Sequence, residues 1–149
     1  MYTKILVPLD GSATAMLALE QAAIIARLAK APLHLLHVID AVPSTSGFVR
    51  PAVYLDEVRP RQQQAAEELL EQAAHNLREQ GITVETTVVE SRGDRVSEII
   101  VDAAQQAEAD IIVLGTHGRR GVKRLLIGSD AEQVARIAHV PVLLVREPS

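Results

Sequence analysis

Short runs rich in Val, Ile and Leu alternate along this chain with longer stretches in which apolar residues recur three and four positions apart. Strands that stay apolar on consecutive positions suit a sheet covered on both faces, and their alternation with helices is the pattern of an α/β domain built on a parallel sheet. Five strands are predicted, at about Lys4 to Pro8, Leu33 to Ile39, Thr83 to Val89, Ile111 to Leu114 and Val142 to Val145, with four helices between them. At 149 residues and 48% hydrophobic, the chain can bury a core without disulfides, and one domain spanning 1–149 is expected.

The first helix is expected to start at Ser12 as N-cap and run to about Ala29, its small residues Ala18, Ala22 and Ala29 suiting close packing on a sheet. Gln63 to Gln80 forms the second, stopped by Gly81 in a left-handed cap. Asp94 is expected to cap the third, striped by Val96, Ile99, Ile100 and Ala103, and the last runs from Ser129 to about Ala138. These stripes describe core and carry no ligand. His34 and His37 lie three apart on a strand, so they point to opposite faces and cannot chelate one metal together. Asp40 to Pro60 is an unusually long connection, with three prolines, and is expected to be a lid or a partly disordered segment.

Several classes of function fall away. A net charge of −4 is a poor footprint for tracking nucleic acid, and three aromatic residues offer no stacking platform for bases. The absence of Cys removes disulfide frameworks and thiolate zinc sites. No run approaches the roughly 20 apolar residues of a membrane span, and a cytoplasmic location is expected. Neither a metalloprotease H-E-x-x-H nor a G-x-S-x-G elbow occurs.

What remains is GTHGRRGVKRLLIGSDAEQV, Gly115 to Val134, which holds four of the chain's eight glycines around Arg119, Arg120, Lys123 and Arg124. Gly115 follows a strand at its carboxyl end, and Gly128 and Ser129 stand at the start of the last helix. Those are the places where an open α/β sheet binds ligands, and a helix start attracts anions through its free N–H groups and dipole. The constellation reads as a phosphate site, although it matches neither the P-loop nor the G-x-G-x-x-G fingerprint.

On these residues the chain resembles the universal stress protein family. The pattern of glycine, two residues, glycine, nine residues, glycine, then Ser or Thr is met by Gly115, Gly118, Gly128 and Ser129. KILVPLDGS, LLHVID, ADIIVLGTHG and VPVLLV resemble the family's first, second, fourth and last strands, so the likeness spans essentially the whole chain. It implies an open, doubly wound, five-stranded parallel sheet of order 3-2-1-4-5, Rossmann-like and of the adenine nucleotide alpha hydrolase-like kind. The loop after Leu9 would then face the loop after Leu114 across the topological switch.

The resemblance further implies ATP as ligand, with ADP or AMP as alternatives, and magnesium accompanying it. Asp10 and the main chain of Val38 would serve the adenine side, Gly115 the ribose, and Gly118, Gly128 and Ser129 the phosphates. Pro8, Leu9, Thr116, His117, Arg119, Asp130 and Ala131 complete the implied site. Asp10 also suits an Asx turn into the first helix. Members of the family often carry an apolar residue and then a small hydroxyl after the Gly-Ser pair, where this chain has Asp130 and Ala131. Asp130 would repel a phosphate by about 4 kcal/mol at 4 Å and an effective dielectric of about 20. The basic block, or a magnesium ion bridging Asp130 and phosphate, would offset that.

Three functions stay open at this point: an ATP-binding regulatory module, a dimeric interaction protein that has lost its nucleotide, and a slow ATP hydrolase. The intact glycine pattern speaks against the second. The lack of an evident base or Walker lysine speaks against turnover faster than about one per minute. The apolar segment Val140 to Val145 is expected at a sheet edge, where family resemblance implies antiparallel pairing with a second copy. No nucleic-acid or membrane partner is expected, and a protein partner would be of unknown kind.

Overall fold

The structure, a computed structural model, describes residues 1–40, 57–117 and 127–148. Residues 41–56 of the long connection lie outside the described residues, as do Gly118 and the basic block Arg119, Arg120, Lys123 and Arg124. The elements run β1 Ile5–Pro8, α1 Ala13–Ala29, β2 Leu33–Ile39, α2 Arg59–Glu79, β3 Val84–Glu90, α3 Val96–Gln106, β4 Ile111–Gly115, α4 Ser129–Ile137 and β5 Val142–Val145. All strands are parallel, in the order β3-β2-β1-β4-β5 that the family resemblance implies.

Strand side chains alternate between two apolar layers. Ile5, Val7, Leu9, Leu33, Leu35 and Val113 pack under α1 and α2, against Ala18, Ala22, Leu70 and Leu77. Leu6, Leu36, Ile112 and Leu114 face the other way, against Ile100, Val101 and Ala104 of α3 and Ala131 and Val134 of α4. Both faces of the central strands are therefore dry, which is why their sequences read as unbroken apolar runs.

Two helix starts differ from expectation. The second helix begins at Arg59, not Gln63, because Pro60 sits in its first turn. Proline is at home there: its fixed φ is helical and no partner is lost for a missing N–H. Asp94 does not cap the third helix. Arg95 occupies that position with no side-chain cap, and Asp94 instead closes a turn through its N–H to the Ser91 carbonyl at 2.9 Å. Arg92 and Gly93 carry φ of 47° and 90° inside that turn. Elsewhere the caps fall as read: Ser12 accepts from the Ala15 N–H, and Gly81 follows α2 with φ 83°.

Two features of the central strands set up the site. Ile5 N–H bonds to Pro32 and Leu9 N–H to Leu36, so the odd-numbered amides of β1 face β2 and the even-numbered ones face β4. Pro8 is the even-numbered position that has no N–H to give. The β1–β2 register accordingly runs through Pro8↔Leu36, while β1–β4 is registered only at Ile5↔Ile111 and Leu6↔Ile112. At the opposite end the same two strands are tied by Asp110, whose carboxylate accepts from Thr3 N–H at 2.8 Å, Thr3 Oγ1 at 2.9 Å and Lys4 N–H at 3.2 Å. Burial alone would raise the Asp110 pKa, but the hydrogen bonds from Thr3 and Lys4 outweigh it and hold the carboxyl below its ordinary value.

The first turn of α1 then lies directly on the end of β4. A Cβ on Gly115 would stand 2.7 Å from the Thr14 carbonyl carbon and 2.9 Å from the Ala15 nitrogen. Gly115→Ala should therefore lower stability by about 1–3 kcal/mol through overpacking against backbone. Urea unfolding with a reduced midpoint at unchanged slope checks this, and an unchanged midpoint would refute it. Asp110 supplies a second expectation. A carboxyl whose pKa is depressed by folding stabilises above its unfolded value and loses that contribution as pH falls through its folded value. Wild type should lose stability on acidification below about pH 4 by an increment that Asp110→Asn lacks, measured as midpoints across that range.

Candidate functional site

Where β1 and β4 part, a cleft of about 690 Å³ opens over the carboxyl ends of the strands. That volume lies within the roughly 300–1,000 Å³ usual for small-molecule sites. Pro8, Leu9 and Asp10 enter it from β1, Val38 from β2, Gly115, Thr116 and His117 from β4, and Gly128, Ser129, Asp130 and Ala131 from the start of α4. All the site residues expected from the sequence that the structure describes thus share one cavity. Gly118 and Arg119 lie outside the described residues.

The loops on the two sides of the cleft are laced together. Asp10 Oδ1 accepts the Ser12 N–H at 2.8 Å, forming the Asx turn, and Gly11 takes φ 84° within it. The Thr14 hydroxyl donates to the His117 carbonyl, and Ser12 Oγ approaches the same carbonyl at 3.4 Å. On the β2 side, His37 Nδ1 bonds to the Leu9 carbonyl at 2.6 Å. The β1–α1 loop is consequently fixed from both neighbours.

At the helix start, Gly128 occupies the N-cap of α4 with no side-chain cap. Its N–H donates to the Thr116 carbonyl at 2.6 Å, and its φ is −59°, an ordinary value open to any residue. The need for glycine is steric instead, since a Cβ would stand 2.9 Å from that carbonyl. A helix start without a side-chain cap directs its first N–H groups and the positive end of its dipole toward the cavity.

The described lining contains Asp10, Asp40 and Asp130 and no Lys or Arg, so its fixed charge is acidic apart from the helix dipole. Among the described residues no three His, Cys, Asp or Glu side chains gather to hold a metal. Four buried side-chain atoms make no hydrogen bond of good geometry among the described residues: His34 Nδ1, which has only the ion-pair contact described next, and Gln62 Oε1, Thr116 Oγ1 and His117 Nδ1. His34 Nδ1 stands 3.3 Å from Glu85 Oε2, on the sheet face opposite His37, and takes no part in the cleft. Burial lowers the His34 pKa, a shift that Glu85 opposes and Lys4 reinforces. The other three residues all line the cavity. Buried polar groups in folded proteins are paired with few exceptions, and each exception calls for a physical explanation.

Several lining residues escaped the sequence reading. Gln62, Ala66 and Leu69 come from α2, and Val96 and Ile100 from α3. The signal for Gln62 was Pro60, which as a first-turn proline puts the helix start at Arg59, three residues before Gln62. Thr14 and His37, 4% and 8% exposed, were legible only as a hydroxyl beside a helix cap and a histidine in an apolar strand.

Comparison with known proteins agrees with this architecture. The profile of the Universal stress protein family matches residues 1–146. Universal stress protein MJ0531 of Methanocaldococcus jannaschii is 33% identical over 148 residues, covering 99% of this chain and 84% of that protein. The solved structure of MJ0577 from the same organism superposes with a TM-score of 0.84 at 31% identity, covering 100% of this chain and 99% of the other. The universal stress protein from Archaeoglobus fulgidus, solved in complex with dAMP, matches with a TM-score of 0.66 at 27% identity, covering 97% and 98%. A profile match from the first residue almost to the last, joined to full-length likeness in three dimensions, means that this chain belongs to the universal stress protein family.

Proposed function

We propose that the chain is an adenine-nucleotide-binding regulatory protein that takes ATP with magnesium at the cleft between β1 and β4. The observation that carries this reading is the gathering of Gln62, Thr116 and His117, each with an unpartnered buried polar atom, in one cavity beside the uncapped start of α4. A related protein of the same fold binds dAMP, which names the ligand class. Asp10 and the Val38 main chain would face the base, Gly115 the ribose, and the first N–H groups of α4 with the Ser129 hydroxyl the phosphates.

The acidic lining bears on the metal. Magnesium keeps several waters and is commonly held by one or two carboxylates together with substrate phosphates. Asp10 and Asp130 line the same cavity as the α4 start, and a shared cation would relieve their repulsion of a phosphate. When bound, the ion would supply charge neutralisation between carboxylate and phosphate. The chain's own residues would bind and orient the nucleotide.

Calorimetry on protein freed of copurified ligand tests the reading. ATP should bind, more tightly with magnesium than without, and Ser129→Ala should weaken it by about 1.5–3 kcal/mol, the loss of one hydrogen bond to a charged acceptor. No heat with ATP, ADP or AMP at millimolar concentration would refute it.

The same proposal includes a homodimer paired through Val140 to Val145. β5 ends the sheet order, so among the described residues one of its edges has no strand partner, and Leu143 is 38% exposed. An exposed apolar edge is a liability that pairing with a second copy removes. Light scattering should give twice the 16.1 kDa chain mass at micromolar concentration, and Leu143→Lys should halve it. A wild-type monomer would remove the dimer from the proposal.

A further inference from the structure

The cleft has two chemically different ends. One is the polar start of α4 with Thr116 and His117. The other lies under α2, where Ala66 and Leu69 present apolar surface and Gln62 is the one uncharged polar side chain that α2 contributes to the lining. A phosphate belongs at the first end and a flat, largely apolar base at the second.

Gln62 differs from its neighbours. Gln63 and Gln64 donate along the helix surface to Glu67 and Glu68, at 2.8 Å and 3.0 Å. Gln62 instead lines the cavity, and its Oε1 is buried with no partner among the described residues. Such an acceptor has given up water and gained nothing in exchange, so a ligand N–H that meets it strengthens binding selectively. A carboxamide presents one acceptor beside two donors. Adenine presents an amino donor at position 6 beside ring-nitrogen acceptors, so the two edges match. On the edge that carries N7, a 6-oxo purine has neighbouring acceptors at O6 and N7, so a carboxamide turned either way serves only one of them there.

We propose that Gln62 is a specificity-determining residue of the cleft, whose buried Oε1 accepts from the 6-amino group of a bound purine. The proposal rests on the adenine-nucleotide reading above and adds to it the residue that reads the base.

The test compares AMP with the 5′-monophosphate of unsubstituted purine riboside, which carries hydrogen in place of the amino group, by calorimetry on the full chain. Wild type should prefer AMP by about fivefold, the effect of one neutral hydrogen bond. Gln62→Leu should bring AMP to the affinity of the analogue and leave the analogue unchanged. Gln62→Glu, which keeps an acceptor, should retain the preference even if both affinities shift. Equal binding of the two nucleotides by wild type overturns the proposal, as does a leucine variant that weakens both by the same factor. If the leucine variant does not fold, the wild-type ratio and the glutamate variant decide. Absence of heat with either nucleotide overturns the adenine-nucleotide reading itself, whereas binding without discrimination overturns only the role of Gln62.

Discussion

The ladder between β1 and β4 stops where Pro8 turns a nitrogen without hydrogen toward its neighbour, and the cleft exists because that ladder stops. Each strand keeps its outer partner to the end, β1 through Pro8↔Leu36 and β4 through Gly115↔Val145. The loops that follow are therefore carried apart while their strands stay anchored. At the other end, the Asp110 carboxylate ties the same two segments across Thr3 and Lys4. The sheet is held shut below and let open above, and the helix starts that face the opening inherit a cavity they did not have to create.

The fold was largely legible in the sequence because its strands are buried on both faces, so that burial and hydrophobicity coincide residue by residue. Sheet order came from resemblance, since apolar runs alone do not say which strand neighbours which. The misses share a cause. By local pattern Pro60 ends a loop although it also suits a helix start, and Asp94 suits a cap although Gly93 makes a turn equally available. Each residue has two compatible local structures, and tertiary packing selects one. Thr14 and His37 were missed for a related reason. Their contacts, to the His117 and Leu9 carbonyls, are made to backbone groups far away in sequence, which no local pattern encodes.

His37 and Thr14 also show how the site is kept in shape. The β1–α1 loop carries Asp10, and a loop of this kind would be free to move if held only at its ends. Here the Leu9 carbonyl is bonded from β2 and Ser12 and Thr14 reach across to the His117 carbonyl beyond β4. Three neighbouring strands thus contribute to placing one short loop. Such placement lowers the ordering cost of binding, which for a small ligand is a large part of what distinguishes a good site from a poor one.

Gly115 and Gly128 are both required by the protein's own backbone, the first by the Thr14–Ala15 peptide and the second by the Thr116 carbonyl. Steric demands of that kind persist whether or not anything occupies the cavity. Any relative that keeps this backbone is obliged to keep these two glycines, whereas the fold makes no such demand of Gln62, Thr116 and His117, whose buried atoms have no partner among the described residues. Among relatives of this chain, then, the two glycines follow the scaffold, and the three polar side chains follow whatever meets them in the cavity.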